Sequence, residues 1–508
     1  MTRSFLTRRI FIAGLGLGVT GVALAACVSS APAATPAPAA PAAVAPTAAT
    51  PSNATTPAEA APTTTSALAA AAAPAASVAP KTKVSGPINW LVRTSPEENS
   101  LQETIFEPLI KTRLPTVTVT RIVVPADKYI PKINSMAAAD ESLEIWGFGG
   151  NYYDYWVRYL PQNLDSYVSG DKWDIGNYFL SGLSDVYNIH GHQYGLPQLT
   201  CYGSNLVYNK NLFDAVGIKY PTLDWDDKTW NMDAFVANAV KLTKNAGAPD
   251  ATYGASVTLW DRMTSLSYLW GGDSWLPEHY TNFIAPKTNF NGEANVQSHQ
   301  WRHDLIYEQK VHPDPATDQS LNQFADPFKT GKIAMVLDGG WQLWSTSGIT
   351  KFKVGVAPVP WFKTNKSIIF DDFWIMGRWA KNKDGAWAVM RVLTSVAATT
   401  KYSVQSGTPP TPRQSTDPWA KTRADFFGVS LDEMKTMLAQ SIDKRVQESP
   451  DHLFLGHPKI DDTYNNEIAA LWNHSDATAA GVMPAVTKVM DQTVLDIYNQ
   501  FKNSMPRD

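Results

Sequence analysis

Only two cysteines occur in 508 residues. A disulfide framework and a cysteine metal knuckle are therefore excluded, and the fold must be held by its core. Clustered Lys/Arg tracts are also missing: 43 basic and 47 acidic residues give a formal charge of −4. That balance argues against a nucleic-acid partner. No GxSxG, P-loop or HExxH pattern is present, which removes the commonest serine-hydrolase, nucleotide and zinc-protease signatures. No cofactor and no metal are expected. The one long apolar run, Ile10–Ala26, is diluted by Gly14, Gly16, Gly18 and Gly21 and is short for a bilayer-spanning helix.

What the N-terminus does contain reads as an export signal. Thr7-Arg8-Arg9-Ile10-Phe11-Ile12 is a twin-arginine pattern, and the apolar run ends in Leu24-Ala25-Ala26-Cys27, which resembles a bacterial lipobox. Residues 1–26 are expected to be cleaved and Cys27 to become a lipidated N-terminus, anchored at the outer face of the cytoplasmic membrane. An ordinary secretory route and a short membrane anchor are the alternatives. Without residues 1–26, which carry Arg3, Arg8 and Arg9 and no acid, the formal charge moves from −4 to −7. Residues 27–83 continue with Ala, Pro, Thr, Ser and Val, and Glu59 is the only charge before Lys81. Such a segment buries too little to offset its ordering entropy and is expected to be a disordered tether. Flexible-chain scaling gives it a reach on the order of 40 Å.

From about Val84 the composition is globular, and the length exceeds what one core usually supports. Eighteen tryptophans and nineteen tyrosines are enough to fill a core and still line a surface. Ile88–Val92 reads as a buried strand, Leu101–Thr112 as a helix, Val117–Val124 as an alternating strand, Lys128–Ala138 as a helix and Leu143–Phe148 as a strand entering a glycine turn. Strand and helix in alternation predict an α/β sheet with crossover helices. Ligands of such sheets sit where the strands end in loops. Further helices are predicted at Asp233–Asn245, Trp301–Lys310, Trp387–Ser395, Ile468–Trp472 and Met483–Phe501, with a strand at Lys353–Pro360.

Four blocks together resemble the solute-binding proteins of bacterial sugar importers, the family that includes maltose-binding protein. They are Tyr194-Gly195-Leu196-Pro197 with Asn205–Phe213; Lys228-Thr229-Trp230-Asn231-Met232-Asp233-Ala234-Phe235; Gly331–Trp344, "GKIAMVLDGGWQLW"; and Ala380-Lys381-Asn382-Lys383-Asp384-Gly385-Ala386-Trp387. The resemblance implies a periplasmic-binding-protein-like (type II) α/β fold: two discontinuous lobes, a central ligand cleft and a crossover hinge. It places lobe I at about 84–205 with 356–405 and lobe II at 206–355 with 406–508. The crossovers fall near Asn205–Tyr208 and Gly355–Val359. It also implies a monomer that takes a mono- or oligosaccharide and delivers it to the transmembrane subunits of an ABC importer. A glycerol-phosphate ester is the alternative cargo, and a secreted polysaccharide hydrolase or adhesin the alternative class.

A sugar presents hydroxyls at its rim and C–H faces above and below, so a binder needs flat rings beside short polar groups. Trp341 fits, at a strand end beside Asp338; its alternative is one face of the next helix with Trp344, which is expected in the core. Asp338 either lines the site or caps that helix. In the first lobe, Phe148 and Asn151 follow a strand, with Trp146 read as core. Tyr202 either meets ligand or packs at the hinge, and Arg93 either meets ligand or pairs with Glu97. Trp260 and Asp261 resemble a binding loop, with Trp270-Gly271-Gly272-Asp273 soon after. On the returning chain, Asp372 and Trp374 are the candidates. Adjacent strand residues point to opposite faces, so Asp371-Asp372 is not a catalytic pair. His190-Gly191-His192 lacks a nearby third ligand for metal.

Overall fold

The computed structural model describes residues 84–502 apart from 148–149, 151, 202, 260–262, 283–285, 324, 444 and 449–452. The export signal, Cys27 and the tether lie outside the described residues. So do Phe148, Asn151, Tyr202, Trp260 and Asp261.

Two main sheets organise the chain. The first contains β1 (Gly86–Arg93), β2 (Val117–Val124), β3 (Ile145–Trp146), β6 (Gly195–Cys201), β11 (Ser367–Met376) and β12 (Arg445–Glu448). Its order is β12-β11-β3-β1-β2, with β6 also paired to β11. The short β4 (Asn188–Ile189) and β5 (His192–Gln193) form a separate hairpin. β1 runs parallel to β2 and β3, and β11 runs antiparallel to β3 and β6. Arg93, Trp146 and Cys201 therefore all lie at the same end of the sheet, as strand C-termini. β2 alternates buried and exposed residues, as an outer strand with one covered face should. β11, in the interior, is buried at all ten positions.

The second sheet has the order β10-β7-β9-β8, with β7 at Ser204–Asn209, β8 at Ser256–Val257, β9 at Met335–Gly339 and β10 at Val354–Pro358. The pairings Ser204 with Gly339, Asn205 with Pro358 and Val257 with Leu337 put the start of β7 and the ends of the other three on one edge. The chain passes from the first sheet to this edge between Cys201 and Ser204, and returns through 359–366. Asn205–Tyr208 and Gly355–Pro358 are thus strand residues of the second sheet, flanking the passages on either side. These two short segments join the first sheet to that edge of the second.

Local sequence explains the element ends. Asn209, Asn231, Asn382 and Ser395 each accept a backbone N–H of the helix that follows, the usual N-cap role. Gly407 and Gly428 end their helices in the left-handed region. The helices Thr416–Phe427 and Leu431–Asp443 are tied to the second-sheet body: Lys210 Nζ donates to the Phe427 carbonyl at 2.7 Å, and Trp225 N donates to Gln440 Oε1 at 3.0 Å. The last two helices, His457–Trp472 and Ala479–Phe501, pack on the helix Glu293–Tyr307, where His299 Nε2 meets Tyr464 Oη at 2.6 Å and Tyr307 Oη donates to the Trp472 carbonyl at 2.7 Å. No helix among the described residues is long and apolar enough to cross a membrane.

Candidate functional site

Trp341 stands where the two sheets meet. β9 delivers the chain to Asp338 and Gly339, and the Trp341 ring folds back over Gly339, where a Cβ would overlap the indole. The ring is half-buried, and its centre lies 5.4 Å from that of Phe370 with the planes at 64°. Phe370 belongs to β11 of the first sheet, so this ring pair bridges the two sheets. Tyr268 and Ile368 complete a small apolar cluster with Phe370, against which Leu199, Trp341 and Trp344 pack.

Asp338 does not cap the next helix, which starts at Gln342 with no side-chain cap. Its Oδ2 instead accepts from Trp341 Nε1 at 3.2 Å and from Gln342 Nε2 at 3.3 Å. Burial pushes its pKa up, against hydrogen bonds from Gly339, Thr258, Trp341 and Gln342. A carboxyl and an indole are thus locked together at a strand end. Trp344, expected in the core, is only partly buried and packs against both the main core and the junction cluster.

Arg93 closes β1 and pairs with Glu98 rather than Glu97: its Nε donates to Oε2 at 2.8 Å, and a second nitrogen reaches Oε1. Burial alone would lower the Arg93 pKa, but the Glu98 carboxylate and the charge of Asp372 raise it above its ordinary value. Asp372 is 8% exposed on β11 opposite Leu199, and Asp371 is fully buried opposite Thr200. Trp374, the other candidate on this strand, is a core residue. It is 2% exposed, edge-on to Trp90 at 5.5 Å and to Phe106 at 6.3 Å.

Five candidates lie outside the described residues, but their attachments are described. Tyr129 Oη donates to the Leu91 carbonyl and accepts from Gly147 N, each at 3.1 Å, which fixes the entry to the loop carrying Phe148 and Asn151. Tyr152 Oη donates to the Asp371 carbonyl at 2.6 Å and ties its exit to β11. Thr258 N donates to the Leu337 carbonyl at 3.1 Å, aligning the approach to Trp260 and Asp261 with β9. Tyr202 falls in the sequence between the end of β6 and the start of β7.

Two residues of the junction, Phe370 and Tyr268, were not singled out from sequence. Phe370 lies in the same string as Asp372 and Trp374, one turn of pleat nearer the passage. Tyr268 has only its place soon after Trp260-Asp261-Arg262 to mark it. The helix Tyr152–Val157 meets the C-terminal helices: Gly456 N donates to Asp154 Oδ2 at 3.2 Å, and the Arg158 guanidinium lies 5.8 Å from the Phe501 ring centre. A cavity of about 290 Å³ lined by Asp154, Arg158, Lys459 and Phe501 remains there. An open concavity of about 430 Å³ beside Lys172 and Trp173 involves none of the candidate site residues. His192 Nδ1 lies 2.6 Å from Asp165 Oδ2 and His190 packs on Trp156. No His/Cys/Asp/Glu group suited to a metal ion occurs among the described residues.

The family model for the bacterial extracellular solute-binding protein matches residues 99–400. A binding protein of Brucella abortus is 23% identical over 302 residues, covering 58% of this chain and 68% of that one. Among solved structures, an ABC substrate-binding protein from Listeria monocytogenes in complex with cycloalternan is similar with a TM-score of 0.65 at 18% identity, covering 82% of this chain and 99% of that one. The GacH receptor of Streptomyces glaucescens, solved unliganded and with acarbose, gives 0.61 at 18% identity over 83% and 100% of the two chains. These structural likenesses show the fold: a periplasmic-binding-protein-like α/β architecture.

Proposed function

The chain belongs to the bacterial extracellular solute-binding protein family, and from that premise we propose that it captures a carbohydrate between two closing lobes and delivers it to an ABC importer. It is a binding protein and not an enzyme, and its work is done by affinity rather than by bond-making. The lobes are built on the two sheets: 84–205 with 356–405 and 206–355 with 406–508, each passage running beside the ligand cleft.

The observation that carries this reading is the Trp341–Asp338 pair at the meeting of the sheets, with the ring held over Gly339 and against Phe370. An indole face suits the C–H face of a sugar, and each such aromatic contact is worth about 0.5–1.5 kcal/mol beyond area burial. The neighbouring carboxyl suits a hydroxyl. Phe148, Asn151, Tyr202, Trp260 and Asp261 are proposed to surround the ligand from the strand ends already described. Arg93 and Asp372 are proposed to face the ligand from the first-lobe side. Trp374 is left out of the site. The neighbours bound to cycloalternan and acarbose support a saccharide as the cargo. A phosphate ester has less support, since the Arg93 guanidinium is already taken up by Glu98.

Closure follows from differential affinity. A ligand that touches both lobes only when they are together shifts the population toward the closed form, in proportion to that difference. Lipidation at Cys27, the tether to residue 83 and action as a monomer complete the proposal: a domain held at the outer face of the membrane and free to reach the importer. A titration of intrinsic tryptophan fluorescence across mono- and oligosaccharides is expected to give a saturable change with at least one of them. Silence across the panel would reject the carbohydrate assignment.

A further inference from the structure

The loop Trp270-Gly271-Gly272-Asp273 carries a carboxylate that the binding reading has not used. Asp273 Oδ1 accepts Trp275 N–H at 2.9 Å and Oδ2 accepts Tyr280 Oη–H at 2.8 Å. Tyr280 Oη in turn lies 2.9 Å from Tyr268 Oη. The loop itself is pinned, because the Asp273 carbonyl accepts from Asn289 Nδ2 at 2.9 Å and Asn295 Nδ2 at 3.3 Å. Tyr268 is 4% exposed, and its ring forms the junction cluster with Ile368 and Phe370, on which Trp341 packs. The far end of this chain of hydroxyls is therefore the ring floor where the two sheets meet.

The proton order along the chain is dictated by the acid. An ionised carboxylate only accepts, so the Tyr280 hydroxyl proton is spent on Asp273. The Tyr268 hydroxyl reaches both Tyr280 Oη and the acid itself, so its proton goes to one of these two acceptors. One charge thus makes both phenols donors, where two phenols alone could exchange roles. The arrangement costs stability: burial pushes the Asp273 pKa up to about 6, with no cation among the groups acting on it. A neutral amide would spare that cost. A charged group kept at a net loss, and wired to the ring floor, points to use rather than to packing.

We propose that Asp273 is a positioning residue for the binding site: directly and through Tyr280 it holds the Tyr268 ring against the Phe370–Trp341 pair. The inference rests on the reading of that pair as the ligand floor, and its test has one arm that needs no ligand. Protein labelled with 3-fluorotyrosine would be compared as wild type, Asp273→Asn and Tyr280→Phe, with the Tyr268 fluorine signal assigned through Tyr268→Phe. The wild type is expected to give two slowly exchanging Tyr268 lines, from a ring that rarely flips, and both variants one averaged line. In the second arm, maltotriose binding is titrated by tryptophan fluorescence beside thermal melts. Asp273→Asn is expected to bind about three- to tenfold more weakly, the scale of one hydrogen bond, with a melting temperature equal to or above wild type. Unchanged fluorine lines in both variants overturn the proposal, as does a fall in melting temperature that accompanies the loss of binding, which marks a purely structural residue. If wild-type protein ignores maltotriose and every other saccharide, the carbohydrate reading fails while the fluorine spectra still decide whether Asp273 positions the ring.

Discussion

Trp341 and Trp374 look alike in sequence: each stands a few residues past an acid, at or beside a strand, in a string rich in aromatics. The structure separates them. Trp341 is half-buried where the second sheet ends, folded over a glycine, with its Nε1 on Asp338 and its ring against Phe370 of the first sheet. Trp374 is packed between Trp90 and Phe106 in the interior of the first sheet. The difference lies in depth along the strand. Asp372 and Trp374 sit two apart on β11, and that spacing carries the ring about 6–7 Å further from the junction. There it meets Phe106 and the stacked Phe106–Tyr402 pair, supplied by helices far away in sequence.

The contrast breaks first at Trp374. Trp374→Ala should cost about 3–5 kcal/mol in urea unfolding by opening a cavity in a dense aromatic core; a loss below 1 kcal/mol would mean that the ring is not a core element. The junction should also respond to pH. The Asp273 pKa is about 6 in the fold, above its unfolded value, so the native state holds the proton more tightly. Its contribution to stability is fully present below about pH 4 and is lost as pH rises through 6, by up to about 3 kcal/mol. Asp273→Asn should flatten that part of the stability–pH profile, and an unchanged profile would show that the carboxyl titrates normally. Gly339→Ala places a Cβ into the Trp341 ring and should cost about 1–3 kcal/mol. It should weaken saccharide binding although the indole is still present. The smallest effect belongs to the outer contact: Arg158→Ala removes the cation over Phe501 and should cost about 0.5–1 kcal/mol, with binding nearly unchanged.

Much of the scaffold was legible because it depends on local signals. Val117–Val124 alternates and forms β2 over those same residues. Asn231 precedes the apolar-periodic run of the expected Asp233–Asn245 helix and caps it. The change of character within Gly331–Trp344 does mark a buried strand running into a turn at the junction. Alternation gives the face a side chain occupies, but its depth depends on where neighbouring strands stop and which helices cover them. That is why Trp374 was read as a ligand contact. Arg93 illustrates the same limit: Glu97 and Glu98 are equally near in sequence, and the helical turn Pro96–Leu101 decides for Glu98. The Tyr268–Tyr280–Asp273 chain is assembled by tertiary packing of two short helices and a loop, and no spacing announces it.

The central claim is that Trp341 is a binding surface carried by a fold that does not need it. The direct measurement is a saccharide titration of Trp341→Ala by isothermal calorimetry, with its urea midpoint recorded beside wild type. The account predicts a loss of affinity of about tenfold or more, the scale of one aromatic contact and its buried area, with the midpoint nearly unmoved. Wild-type affinity in the variant, or a collapse of the midpoint like that expected for Trp374→Ala, would contradict it.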